Sequence, residues 1–106
     1  YQPVRRQTDS TPNILADGTR IRTQDASNYK FIAVSRNLLK RFGGWLDYGD
    51  FVLLMGTSVK DGVYQVRDTM NKRFVNRIDI LESPGVKPYK FVNAKIIKTD
   101  LVLDNN

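Results

Sequence analysis

The chain contains no cysteine and no histidine. Without thiols there is no disulfide and no sulfur nucleophile, which suits the cytosol and equally an envelope protein that is stable without bridges. Without imidazole, Ser-His and Cys-His machinery and His-type zinc sites are excluded. Any catalysis therefore runs on carboxylates, hydroxyls, lysine or tyrosine, and no metal or cofactor is expected. No apolar run approaches the roughly 20 residues of a membrane span. Internal repeats and low-complexity segments are also missing, and the chain has a single tryptophan, Trp45.

What is present is 106 residues, 41% apolar and 26% charged, with a net charge of +6 and a pI of about 9.8. That is one globular domain with a single modest core, assigned to residues 1–98, followed by a fraying tail at 99–106. The charge favours polyanionic surroundings: nucleic acid, an anionic membrane surface or an acidic cell-wall polymer. The cations are scattered, however, with Arg5-Arg6, Lys40-Arg41 and Lys72-Arg73 as the adjacent pairs. No block of like charge reads as a nucleic-acid arm, and a solvated basic surface is the simpler reading. The chain starts at Tyr1 rather than Met, so an upstream segment, a signal peptide among the candidates, is expected to have been removed.

Residues 1–18 are rich in Pro, Thr, Asp, Ser and Asn, a looped entry in which residues 1–4 read as the end of a strand. Asp17-Gly18 is a turn signal ahead of a short run at 19–22. Phe31-Ile32-Ala33-Val34 is a compact apolar strand. Ser35 then reads as the N-cap of a helix of about two turns carrying Leu38, Leu39 and Phe42, stopped by Gly43-Gly44. Phe51-Val52-Leu53-Leu54-Met55 is a second strand, and Asp61-Gly62 turns into a third at 63–67. A fourth covers 78–81 and the last 91–98, beyond a loop around Pro84-Gly85 and Pro88. About six or seven short strands, with turns every 8–12 residues and one short helix, predict a small, mainly β barrel.

The chemistry concentrates between Gly62 and Leu81. Asp68 closes one strand and Asp79 sits inside the next, eleven positions on. A carboxylate inside a strand is disfavoured by β-propensity and costly if buried alone. Period-two alternation puts Tyr64, Val66 and Asp68 on one face, and separates Ile78 and Ile80 from Arg77, Asp79 and Leu81. If the strands are neighbours, both carboxyls meet at one cleft and tune each other for acid–base work. The alternatives are structural: Asp68-Thr69 capping the next turn, and Asp79 pairing with Arg77 or Arg67.

Ala16-Asp17-Gly18-Thr19, Phe31-Ile32-Ala33-Val34-Ser35, Tyr48-Gly49-Asp50, Asp68-Thr69 and Asn76-Arg77-Ile78-Asp79-Ile80 stand in the order of the triple-aspartate (3D) domain. In this the chain resembles the group of rare lipoprotein A, barwin and expansin, and the barrel domain of membrane-bound lytic transglycosylase A. The resemblance covers roughly residues 1–98. It implies a six-stranded double-psi β-barrel with one short helix, and peptidoglycan glycan strands as the ligand. It further implies Asp79 as general acid/base with Asp68 in support, in a cleavage where the sugar's own 6-hydroxyl closes an anhydro ring. The chain departs from the family by carrying Ser35 at the first aspartate and Met70-Asn71 in place of two glycines. The large second domain of the transglycosylase is also absent. Two acids of the three remain.

Thr69, Asn76, Arg77, Asp9 and Thr11 are candidate substrate-binding residues around this pair, with Thr8 beside them. Loop capping accounts equally for Asp9 and Thr11, and pairing with Asp79 for Arg77. Trp45 either stacks on a sugar ring or packs at a helix–strand junction. The expected function is a peptidoglycan-active, lytic-transglycosylase-like domain, monomeric, without nucleic acid or membrane span, in the cell envelope or periplasm. The alternative is a non-catalytic glycan-binding or assembly module of an envelope protein, such as a lipoprotein, or of a phage virion.

Overall fold

The computed structural model describes Tyr1 and residues 14–99. The apolar runs become β1 (Phe31–Val34), β2 (Phe51–Met55), β3 (Gly62–Thr69), β4 (Ile78–Ile80) and β5 (Lys95–Thr99). They form one five-stranded sheet in the order β4-β1-β3-β2-β5. β1 runs parallel to β3 and antiparallel to β4, while β2 is antiparallel to both β3 and β5.

Side chains alternate across this sheet and fill two cores. On the inner face Ile32, Val34, Val52, Leu54, Tyr64, Val66 and Ile80 pack with Leu39 and Leu46 from the following loop. On the outer face Leu15, Ile21, Ala26 and Leu81 are covered by Tyr1, Tyr29 and Phe31. The separation of Ile78 and Ile80 from Leu81 matches the sequence expectation. The sheet also curls. Ile78 of β4 and Ile96 of β5 stand at opposite ends of the strand order, yet both line one recess of about 160 Å³. The molecule is thus mainly β, built on a half-barrel sheet.

Three differences from the expectations have physical causes. The segment after Ser35 is not one α-helix but two 3-10 turns, Arg36–Leu38 and Lys40–Phe42, with an extended Leu39 between them. Leu39 is 2% exposed, and regular winding would carry it away from the inner core. The chain doubles back instead: Trp45 and Leu46 donate backbone N–H bonds to Leu38 O at 2.9 and 2.8 Å. Only glycine fits that return, because a Cβ on Gly44 would sit 2.2 Å from the Leu38 carbonyl carbon. Second, Thr23–Tyr29 is a 3-10 helix where no element was expected, anchored by the fully buried Ala26. Third, the last strand starts at Lys95, leaving Phe91 and Val92 exposed in the loop.

Candidate functional site

β1 ends in small and hydroxyl residues, Ala33-Val34-Ser35, and both acids are placed against it. Ala33 pairs with Asp68 of β3 on one side and with Asp79 of β4 on the other. Two strand spacings, roughly 10 Å of backbone, separate the acids, and a one-carbon side chain lies between them. They come together across an intervening strand rather than as neighbours.

The face they share is not the one alternation gives. Ile32 pairs with Val66, but Ala33 pairs with Asp68, so Arg67 has no partner on β1. This bulge adds one residue to β3 and reverses the side chains beyond it. Asp68 therefore leaves the Tyr64–Val66 face and joins Asp79 on the outer face. Arg67 turns the same way: its guanidinium lies 5.8 Å from the Phe31 ring centroid and bonds Asp17 Oδ2 at 3.1 Å.

One residue touches both acids, and it gave no signal in the sequence. The Tyr1 nitrogen donates to Asp79 Oδ1 at 2.7 Å and to Ile80 O at 2.6 Å. The Tyr1 hydroxyl donates to Asp68 Oδ2 at 2.8 Å. Tyr1 O in turn accepts the Glu82 N–H at 2.7 Å. Bonding to both neighbours of Leu81 is how a residue pairs in parallel along a strand edge, in keeping with the strand end expected at 1–4; residues 2–4 lie outside the described residues.

Asp68 is enclosed. Its Oδ1 accepts the backbone N–H groups of Ala16 and Thr69, both at 2.9 Å. Burial pushes its carboxyl up from the usual aspartate range, and the Tyr1, Ala16 and Thr69 bonds oppose that only in part. Burial and the adjacent Asp68 likewise raise the Tyr1 phenol far above its ordinary range, so it stays a donor. Asp79 differs: its side chain is 43% exposed, and Oδ2 has no hydrogen-bond partner among the described residues. The Tyr1 terminal ammonium forms an ion pair with Asp79, and no described Lys or Arg side chain pairs with either acid. Arg67 is taken by Asp17, and Arg77 lies over the Phe74 ring at 5.2 Å.

The other sequence candidates separate. The Thr69 N–H serves Asp68, but its hydroxyl meets the Tyr48 phenol on the inner side. Asn76 exchanges bonds with Asn37, Asn37 Nδ2 to Asn76 Oδ1 at 2.7 Å and Asn76 N to Asn37 Oδ1 at 3.1 Å. Asn76 also lines the recess, with Trp45. Trp45 is 40% exposed, so it is not core. Ser35 is fully buried. Its Oγ accepts the Arg77 N–H at 2.9 Å, tying β1 to β4 rather than capping a helix. Thr8, Asp9 and Thr11 lie outside the described residues.

The remaining motifs sort by position. Ala16-Asp17-Gly18-Thr19 delivers the Ala16 N–H to Asp68, and Asp17 Oδ1 closes the turn on Thr19 N at 2.9 Å. In Tyr48-Gly49-Asp50, Gly49 adopts a left-handed φ of 92° and its N–H bonds Val66 O at 2.7 Å. Among the described residues no cluster of three His, Cys, Asp or Glu suits a metal ion, and no helix is long and apolar enough to cross a membrane. Comparison with protein-family models, curated proteins and solved structures gives no match to this chain.

Proposed function

We propose that this chain is a peptidoglycan-active domain of the 3D type, a six-stranded double-psi barrel that cleaves glycan strands with Asp79 as acid/base. The observation that carries the reading is the flanking of Ala33 by Asp68 and Asp79 on one face, with no Lys or Arg side chain paired to either among the described residues. Their unequal exposure supports unequal roles. Asp79 is 43% exposed with one oxygen unpartnered among the described residues, whereas Asp68, enclosed by three donors, holds Tyr1 and through it the position of Asp79.

In the proposed cleavage, protonated Asp79 gives its proton to the glycosidic oxygen as the C1–O bond breaks. The resulting carboxylate takes the proton of the same sugar's C6 hydroxyl as that oxygen bonds to C1. A 1,6-anhydro ring forms, Asp79 is protonated again, and no water or carboxylate nucleophile is consumed, in contrast to hydrolysis by paired carboxylates.

A second reading, a non-catalytic glycan-binding or assembly module of an envelope protein or phage particle, is favoured by one observation: Tyr1 satisfies both acids internally. Incubation with purified sacculi separates the two. Cleavage releases soluble anhydro-muropeptides, detected by mass spectrometry, and Asp79→Asn abolishes the release with the melting temperature unchanged. Sedimentation with sacculi but no release would assign the module reading.

A further inference from the structure

Residues 35–46 and 70–77 are far apart in sequence and joined in space. Ser35 and Arg77 exchange backbone and side-chain bonds at 2.8 and 2.9 Å, Asn37 and Asn76 bond each other twice, and Trp45 and Asn76 share a recess. Together the two segments hold Arg36, Lys40, Arg41, Lys72, Arg73 and Arg77 and no acid, six of the chain's 17 cations and none of its 11 acids. The other 11 cations balance the 11 acids, so the whole net charge of +6 equals what these two loops carry.

All six cations are exposed. Only Lys40 has a carboxylate partner among the described residues, Asp47 at 3.1 Å. The same loops present apolar side chains to solvent: Val75 is 58% exposed, Phe42 52% and Trp45 40%. Behind them the recess is walled by Leu38, Leu54, Ile78 and Ile96 with a single amide, Asn76.

We propose that this end of the molecule docks on an anionic lipid bilayer, with the cations on headgroups and Val75, Phe42 and Trp45 in the interface. The combination selects that partner. Cations near an anionic surface attract it, and protruding aliphatic and aromatic tips gain by leaving water for the headgroup–acyl boundary. A nucleic-acid strand would use the cations but needs open aromatic faces for its bases. Here the Phe74 ring carries Arg73 at 4.8 Å and Arg77 at 5.2 Å, and Arg41 stands over Phe42 at 5.2 Å. An exposed valine contributes nothing to base stacking. The docking stands apart from the acid pair, so it holds or falls independently of glycan cleavage.

Trp45 is the only tryptophan, and its fluorescence reads the docking directly. Vesicles of phosphatidylcholine and phosphatidylglycerol in equal parts should shift its emission to the blue and sediment the protein. Phosphatidylcholine alone should do neither, and high salt should reverse the effect. Lys72→Gln with Arg73→Gln should weaken binding roughly 30-fold, from about 1 kcal/mol per cation at an anionic surface. Val75→Asp should remove the blue shift. All three substitutions lie on exposed loop positions, and an unchanged melting temperature verifies the fold. No shift with anionic vesicles, an equal shift with neutral ones, or a shift produced by single-stranded DNA in place of vesicles would overturn the proposal, the last reassigning the face to nucleic acid. Asp79→Asn should bind vesicles as the parent does.

Discussion

Among the described residues a tyrosine phenol meets a carboxylate twice, with opposite electrostatic results. At one position Tyr1 bonds Asp68. At the other Tyr89 bonds Glu82, which also holds Ser27 Oγ at 2.9 Å and Lys60 Nζ at 3.0 Å. Burial acts to raise both acids. Around Glu82 the Tyr89, Lys60 and Ser27 donors outweigh it, and the carboxyl falls below its usual range. Around Asp68 no ammonium or guanidinium arrives among the described residues, and the carboxyl stays raised. The lesson concerns what marks a chemical site: enclosure and a phenol are common to both acids, and the missing cation separates them. Glu82 is a clasp holding the loop after β4; Asp68 belongs to an arrangement with unspent electrostatics.

The largest test of this contrast is Lys60→Met. It leaves Glu82 buried without its ammonium and should cost about 2 kcal/mol, less than the roughly 3–5 of a fully buried pair because Lys60 is 32% exposed. Urea denaturation at neutral pH measures it, and a loss near zero would erase the distinction. The pH dependence comes next. The folded value of Glu82 lies below its unfolded value near 4.3, so its contribution is complete above about pH 5 and drains as pH falls through the folded value. The folded value of Asp68 lies above its unfolded value near 3.9. The native state therefore binds the extra proton, and that contribution is lost as pH rises through the folded value. The stability differences from wild type for Asp68→Asn and Glu82→Gln should accordingly slope in opposite directions with pH, rising for the first and falling for the second.

Tyr89→Phe should cost about 1 kcal/mol, the net worth of one hydrogen bond, because Lys60 and Ser27 still serve Glu82. The smallest effect belongs to Asp68→Asn. An amide oxygen can accept the Ala16 and Thr69 N–H groups, and the amide nitrogen can donate to the Tyr1 hydroxyl. Stability at neutral pH should change by no more than about 1 kcal/mol, and a larger loss would show that the native fold needs Asp68 charged.

The apolar runs of β1, β2 and β4 were legible because each is short, bounded by turn residues and matched to one core. So was the opposition of Ile78 and Ile80 to Asp79 and Leu81. Three features were hidden. The bulge at Arg67 leaves no trace, since Tyr64, Val66 and Asp68 keep perfect alternation while the backbone does not. The helix-like spacing of Leu38, Leu39 and Phe42 lost to tertiary demand: Leu39 is needed in the core, and Gly44 lets the chain turn back over Leu38. The role of Tyr1 rests on contacts 67 and 78 residues away, beyond any local pattern. The basic end escaped notice for the same reason, because folding gathers cations that the sequence keeps apart.

The unmatched Arg67 in β3 has a consequence for how such a site arises. Were the two strands paired evenly through this point, Arg67 would stand against Ala33 and Asp68 against Val34, which would drive the carboxylate into the oily interior beside Ile32, where it could only be a liability. By letting one residue go unmatched, the strand keeps Tyr64 in register with Val52 and still delivers its acid outward beside Ala33. A single skipped partner is therefore what turns a plain sheet edge into a frame for two facing acids.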